Sequence, residues 1–225
     1  MAGIASAIGI AAEGLAVSLS VFGLAVALIV FGLHKIGGIV LVCALGVGLF
    51  FRDPERFPAR TAGVVISGAD GKVTDISQVE MPDSAGMSCH RVSVFMSPLN
   101  VHVNRAPVAG EVTRVEHTPG QFRAAFRDEA SQHNERNLIV FRGLGDRPTA
   151  LLQVAGYLAR RIVCNLRVHD RIESGQRIGL IMFGSRVDHF IPTEFALTVG
   201  LGDRVRAGQS VLADPCCHGC KSLLR

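Results

Sequence analysis

From residue 15 to residue 51 the chain is apolar in two nearly unbroken runs, LAVSLSVFGLAVALIVFGL (15–33) and IGGIVLVCALGVGLFF (36–51), parted by His34 and Lys35. Runs without a polar face predict helices that are apolar all round, and the first reaches the roughly 20 residues a helix needs to cross a bilayer core. The second is slightly shorter. A helical hairpin, or one span with a re-entrant piece, would satisfy the backbone in lipid. After Thr61 the pattern changes: short runs rich in Val, Ile and Phe alternate with Gly, Pro, Asp and Asn clusters, at 64–67, 72–76, 91–96, 111–117, 137–142, 150–157, 161–168, 176–183, 186–191 and 195–199. That punctuation predicts many short strands. Apart from the polar stretch 121–135 there is no amphipathic pattern of three helical turns. The chain therefore reads as a mainly β domain of sandwich or barrel type (61–225), preceded by an N-terminal helical hydrophobic membrane anchor and juxtamembrane linker (1–60).

Inside the β region, DRIESGQRI (170–178) returns as DRVRAGQSV (203–211). Each copy predicts a strand end, a tight turn in which Gly175 or Gly208 takes positive φ, and a new strand entering on a β-branched residue. The pair resembles the hairpins of biotinyl/lipoyl-like β-sandwich folds. A turn signal of this kind carries no chemistry by itself.

Length and composition narrow the choice of partners. The 225 residues suffice for one domain with an appendage and exclude a large multidomain machine. The first 51 residues hold only two formal charges, Glu13 and Lys35, so the mean hydropathy of +0.35 averages an apolar leader with an ordinary globular body. The net charge is +4, from 20 arginines and three lysines spread without a long basic run, which argues against a nucleic-acid partner. Arginine forks suit phosphate or carboxylate. No basic residue precedes Lys35, unlike a secretory signal peptide, whereas Arg52, Arg56 and Arg60 follow the second run closely and place the body on the cytoplasmic side of the membrane. The six cysteines lack the density of a disulfide framework, and PCCHGC (215–220) lacks a paired C-x-x-C clip, so no metal is expected.

The segment richest in chemistry is IMFGSRVDHF (181–190), where an apolar strand meets Gly184 and Ser185. Ser185 admits two enzymatic readings. As a hydrolase nucleophile it lacks the G-x-S-x-G elbow. Alternatively its Oγ attacks the Gly184 carbonyl, the amide shifts to an ester, and β-elimination breaks the chain. Gly184 suits that attack because it has no Cβ to obstruct it. Hydrolysis of the resulting dehydroalanine leaves a pyruvoyl group, a ketone that forms a Schiff base with an amine and acts as an electron sink. A non-enzymatic reading, a membrane-tethered β module acting as an adaptor, is also open.

FRDPERFPAR (51–60), GADGKVTDI (68–76), FMSPLNVHVNRAPVAGEV (95–112), HNERN (133–137), VAGYLARRIVC (154–164) and MFGSRVDHF (182–190) together resemble the short bacterial and archaeal form of the phosphatidylserine decarboxylase proenzyme family. The resemblance covers nearly the whole body in order. It implies self-cleavage between Gly184 and Ser185 into a β chain (1–184) and an α chain (185–225) that stay together as a heterodimer, with a higher oligomer also compatible. It further implies a pyruvoyl cofactor made from Ser185, and decarboxylation of phosphatidylserine to phosphatidylethanolamine at the cell membrane, a step of phospholipid biosynthesis. His102 matches the family's active-site histidine and is the expected proton donor, since imidazole titrates near neutral pH. Asp70 matches the aspartate that assists maturation. The long bacterial form has a second histidine three residues beyond the first; here Arg105 occupies that place and is a candidate contact for the lipid phosphate or carboxylate. Asn134 and Arg136 are further candidate headgroup contacts, as are Arg160, Arg161 and Arg186.

Overall fold

The computed structural model describes residues 9–58, 63–120, 134–145, 147–156, 161–182 and 185–215. It divides into two compact units, Met1–Glu55 with Pro98–Val103, and Arg56–Ser97 with Asn104–Arg225.

The first unit is a helical hairpin of α1 (Ala12–Val30) and α2 (His34–Phe50). Helix α1 stops short of the end of its apolar run because Gly32 takes φ 85°, and the Phe31, Gly32 and Leu33 amides turn back onto the Ala27, Ile29 and Leu28 carbonyls. The helices approach closely at Gly37, where a Cβ would stand 2.5 Å from Ile29 Cγ1 and 3.1 Å from the Ala25 carbonyl oxygen. An antiparallel bridge between Ile10 and Arg52 closes the base. Arg52 Nη1 donates to the Leu49 carbonyl at the end of α2. Outward, the hairpin exposes Leu19, Phe22, Val30, Phe31, Ile39, Val42 and Leu49. The expectation of a membrane-spanning helix is not met: among the described residues, no helix is long and apolar enough to cross a membrane. The turn at 31–33 ends α1 inside its apolar run, and the two helices, of 19 and 17 residues, stand at the short end of the roughly 17–25 a span takes.

The second unit is mainly β, as expected. Its large sheet has the order β13 (Arg204–Val205), β2 (Gly71–Met81), β3 (Ser84–Met96), β11 (Ser185–Pro192), β7 (Arg147–Val154), β6 (Arg136–Leu144), β5 (Gly110–Thr118) and β9 (Arg171–Ile172). Every neighbouring pair in it is antiparallel. Bulges at Val73/Asp75 and Val112/Arg114 add local twist that curls it. Two three-stranded sheets complete the unit: β1 (Val65–Ile66), β14 (Val211–Pro215) and β12 (Phe195–Leu197); and β4 (Val103–Arg105), β10 (Arg177–Ile181) and β8 (Ile162–Cys164). One apolar core joins all three, with Val92, Val94, Met96, Ile139, Leu151 and Val187 from the large sheet meeting Ile178, Ile181, Leu212 and Ala213. The opposite face of the large sheet carries a smaller cluster around Met81, Cys89, Val140, Ala150 and Phe190.

The two repeat copies form the turns that the sequence predicts, β9–β10 and β13–β14, with Gly175 at φ 82° and Gly208 at φ 73°. The turns lie against each other. A Cβ on Gly208 would meet Gly175 Cα at 3.7 Å and Arg105 Cδ at 2.7 Å. Strands β2 and β3 run well beyond the expected 72–76 and 91–96, through Ser77, Gln78, Glu80 and Ser88, where polar residues on both faces hide the strand period. The stretch 121–135, read as the one place for a polar helix, lies outside the described residues except for 134 and 135, as does the PCCHGC tail from Cys216 onward.

Candidate active site

Ser185 is the first residue of β11, a strand with all eight residues buried, and lies opposite Met96 of β3. Alternation along the strand sends Ser185, Val187 and His189 to the main core and Arg186, Asp188 and Phe190 to the other face. The Ser185 hydroxyl is fully buried and its Oγ has no hydrogen-bond partner among the described residues. A buried hydroxyl without a partner is costly, on the order of 1–3 kcal/mol, and such groups cluster where chemistry is done. Gly184 lies outside the described residues.

Behind the strand, Arg186 and Asp188 form a buried ion pair, Nε–Oδ1 2.9 Å and Nη2–Oδ2 3.1 Å, with side chains 4% and 1% exposed. Arg186 therefore faces away from Ser185 and is engaged within the sheet, not displayed to an anionic headgroup.

The GADGK segment packs close to β11. Gly68 donates its N–H to His189 Nε2 at 2.8 Å, and its carbonyl accepts from the Arg105 amide at 2.9 Å and from Asn104 Nδ2 at 3.3 Å. A Cβ at Gly68 would meet the Arg105 carbonyl oxygen at 2.7 Å, so only glycine fits. Asp70, two residues on, is held from both sides. Its Oδ2 accepts from Arg56 Nη2 at 2.8 Å, its Oδ1 accepts from Arg56 Nη1 and from the Ala207 N–H at 2.7 Å, and Arg56 Nη1 also donates to the Ala207 carbonyl at 2.9 Å. Bidentate pairing of this kind fixes the carboxylate in orientation as well as charge. The clamp secures the turn of the second repeat copy. In the sequence Arg56 stands only as a basic residue after the second apolar run and as part of FRDPERFPAR; an arginine 14 positions from its aspartate leaves no local signature of their pairing.

The other predicted residues are distributed as follows. His102 belongs to the first unit, where it is buried and its ring packs on Phe50 at a centroid distance of 4.2 Å. Arg105 is buried between the repeat turns and donates from Nη1 to the Gly175 carbonyl at 3.0 Å. Asn134 is buried and donates from Nδ2 to the Ala155 carbonyl at 2.7 Å, one residue past β7 and beside the start of β11. Arg136 opens β6, opposite Val154 and Thr118.

Comparison with known proteins decides the affiliation. Residues 45–213 match the family model described as phosphatidylserine decarboxylase. The chain belongs to the phosphatidylserine decarboxylase family. It is similar to the phosphatidylserine decarboxylase proenzyme of Desulfotalea psychrophila, 47% identical over 72% of this chain and 76% of the relative. It is likewise 45% identical to the proenzyme of Chlorobium chlorochromatii, over 78% of this chain and 82% of the relative. A third relative, the proenzyme of Mycobacterium leprae, is 43% identical over 81% of this chain and 75% of its own length. Membership makes the chain an enzyme of a decarboxylase family.

Within that family fold, His189 is a buried histidine to which sequence reasoning gave no role. Its Nε2 accepts from a backbone N–H, so the proton of the neutral ring is on Nδ1 and is donated to the Val92 carbonyl at 3.2 Å. Complete burial pushes its pKa down from 6.5 to about 4, against a smaller opposing effect of the Val92 carbonyl. The unfolded chain takes up this proton near pH 6.5 and the folded one only near 4, so His189 stabilises the fold fully above 6.5 and that contribution is lost as pH falls toward 4. The expected loss is on the order of 3 kcal/mol. Chemical denaturation at stepped pH checks it. The parent should lose stability across this window and His189→Gln, which keeps an acceptor for Gly68, should lose markedly less; parallel curves would remove His189 as the cause.

Proposed function

We propose that the chain is a proenzyme that cuts itself between Gly184 and Ser185 and then decarboxylates phosphatidylserine to phosphatidylethanolamine. The observation that carries this reading is the buried Ser185 hydroxyl, without a partner among the described residues and directly after a glycine in the sequence, in a chain whose relatives are named as proenzymes. Ser185 Oγ gives up its proton and adds to the Gly184 carbonyl carbon, and the C–N bond breaks as the Ser185 nitrogen takes a proton. Loss of the Ser185 α-proton then expels the Gly184 carboxylate. Water converts the dehydroalanine left behind to a pyruvoyl group and ammonia. Ser185 fits that group, because its end of β11 is enclosed and already fixed by pairing with Met96.

A pyruvoyl group at this position supplies an electron sink for an amine-bearing substrate. His102 is the proton donor that replaces the departing carboxylate, and its packing on Phe50 fixes the ring plane. Asp70, locked by Arg56 and Ala207, assists maturation by holding the GADG loop and thereby Gly68 and its neighbours in place. Arg136, half-buried at the start of β6, orients the headgroup, while the buried Arg105 and Asn134 hold the Gly175 turn and the end of β7 through their backbone carbonyls. The cut chains stay together because β11 is sandwiched between β3 and β7, β13 pairs with β2, and β14 pairs with β1. Separation would require unfolding the sheet.

The exposed apolar surface of the helical hairpin supports placement at the cell membrane, and the arginines Arg52, Arg56 and Arg60 that follow the second apolar run favour the cytoplasmic side for the body. Held there, the enzyme meets its lipid already concentrated in two dimensions. The test is incubation of the purified protein with phosphatidylserine vesicles beside intact-mass analysis. Two fragments and phosphatidylethanolamine are expected; a folded chain that stays whole, or a cut chain that leaves phosphatidylserine unchanged, would overturn the reading.

A further inference from the structure

The helical hairpin is tight at both ends and open between them along one side. Near its turn Gly37 lies against Ile29, and at its base a Cβ on Gly14 would stand 2.0 Å from Phe51 Cγ, so neither contact admits a larger residue. Between these contacts runs a cleft of about 450 Å³, lined by Ser18 and Leu19 of α1 and by Ala44, Leu45, Gly48 and Leu49 of α2. Positions four apart share a helix face, so each helix contributes one stripe. The floor is small: Ala44 is buried, and a Cβ on Gly48 would meet nothing within 4 Å. The rim is large and apolar, with Leu19, Leu45 and Leu49 exposed. Such a volume falls in the roughly 300–1,000 Å³ of small-molecule sites.

Two polar groups interrupt this apolar lining. Arg52 closes one end of the cleft, where its Nη1 donates to the Leu49 carbonyl at 2.8 Å and its Nη2 to the Leu99 carbonyl. A guanidinium has five N–H donors, and Arg52 pairs with no carboxylate among the described residues, so its charge and most of its fork remain for a ligand. Within the cleft, Ser18 Oγ is shut off from water and has no partner among the described residues. A long apolar slot with a cationic fork at its mouth is complementary to an acyl chain that ends in a phosphodiester. The same end of the hairpin holds the segment 98–103: Arg52 binds it at Leu99, and Phe50 packs on the His102 ring at 4.2 Å.

We propose that this cleft is a phospholipid subsite: one acyl chain of the phosphatidylserine substrate lies between α1 and α2, and Arg52 holds its phosphodiester beside the segment that carries His102. Ser18 Oγ donates to an ester carbonyl of the same lipid. The identity of the lipid rests on the substrate reading above; the cleft itself is independent of the cut.

The test reconstitutes the full chain in phosphatidylcholine vesicles that contain phosphatidylserine bearing a diazirine on one acyl chain, then irradiates and maps the labelled residues. Label is expected at Leu19, Leu45 and Leu49 on the order of tenfold above Val30, Phe31 and Val42, which are more exposed but do not line the cleft. Gly48→Leu fills the cleft and replaces a helix-weakening glycine, so the melting temperature should hold or rise while cleft label falls to the level of Val30. Arg52→Gln should raise KM for phosphatidylserine in mixed micelles on the order of tenfold, with the loss falling on KM rather than kcat. Label spread evenly over the hairpin, annular contact only, overturns the proposal, as does a Gly48→Leu chain that keeps its cleft label. An unchanged KM in folded Arg52→Gln overturns the phosphate contact. Should Arg52→Gln fail to fold, having lost its hold on Leu49 and Leu99, Gly48→Leu decides alone. Cleft label in a parent that leaves phosphatidylserine unconverted refutes the decarboxylase reading and leaves the lipid site standing.

Discussion

Ser185→Ala is expected to yield one uncut chain of 225 residues, folded and inactive, where the parent gives fragments 1–184 and 185–225. The effect should be complete rather than graded, because in the proposed mechanism the hydroxyl is the nucleophile of the cut, and its departure with the Gly184 carboxylate leaves the dehydroalanine that water turns into the pyruvoyl group. Removing one buried oxygen that has no partner among the described residues costs the fold no hydrogen bond there, so stability should hold or rise slightly. That separates loss of chemistry from loss of structure. Intact-mass analysis reads the outcome directly: the small parental fragment should be lighter, by one ammonia, than a fragment beginning with an ordinary serine. A small fragment beginning with intact serine would mean simple proteolysis. A Ser185→Ala chain that still splits at the same bond would remove Ser185 from the cut altogether, and labelling of an uncut parent by a fluorophosphonate would favour an ordinary serine hydrolase.

How much of this was legible beforehand differs by element. The β class, the two repeat turns and most strand positions follow from alternation and from glycines placed where positive φ is needed, signals that are local in the chain. The β2–β3 hairpin is longer than the pattern suggests because Asp75 and Ser77 are half-buried while Gln78 and Glu80 stand among more exposed positions, so polar residues stand on both faces and blur the period. The helices lie within three residues of the two apolar runs and match their lengths to within one residue; what composition does not register is the glycine turn at Phe31–Leu33, which ends α1 inside its apolar run. At the site, Ser185 was legible from a strand meeting Gly-Ser. The Arg56–Asp70 clamp is not legible, since it joins two loop residues 14 positions apart and no short motif records such a contact.

Arg186 shows the same point with energy attached. Asp188→Ala is expected to destabilise the fold by about 3–5 kcal/mol, because it leaves a guanidinium that is 4% exposed without its carboxylate. Against a typical total of about 5–15 kcal/mol, such a loss brings the chain close to unfolding at ambient temperature. Arg186→Ala should cost a comparable amount by stranding the carboxylate. The double change Arg186→Met with Asp188→Leu removes both charges and fills the space, so it should recover most of the loss. Denaturant midpoints measured in a Ser185→Ala background, where cutting cannot confound unfolding, check all three. If Asp188→Ala changes stability by less than about 1 kcal/mol, water reaches the pair and its burial is not real in solution. If the double variant is as weak as either single one, the pair contributes packing that the apolar residues do not reproduce.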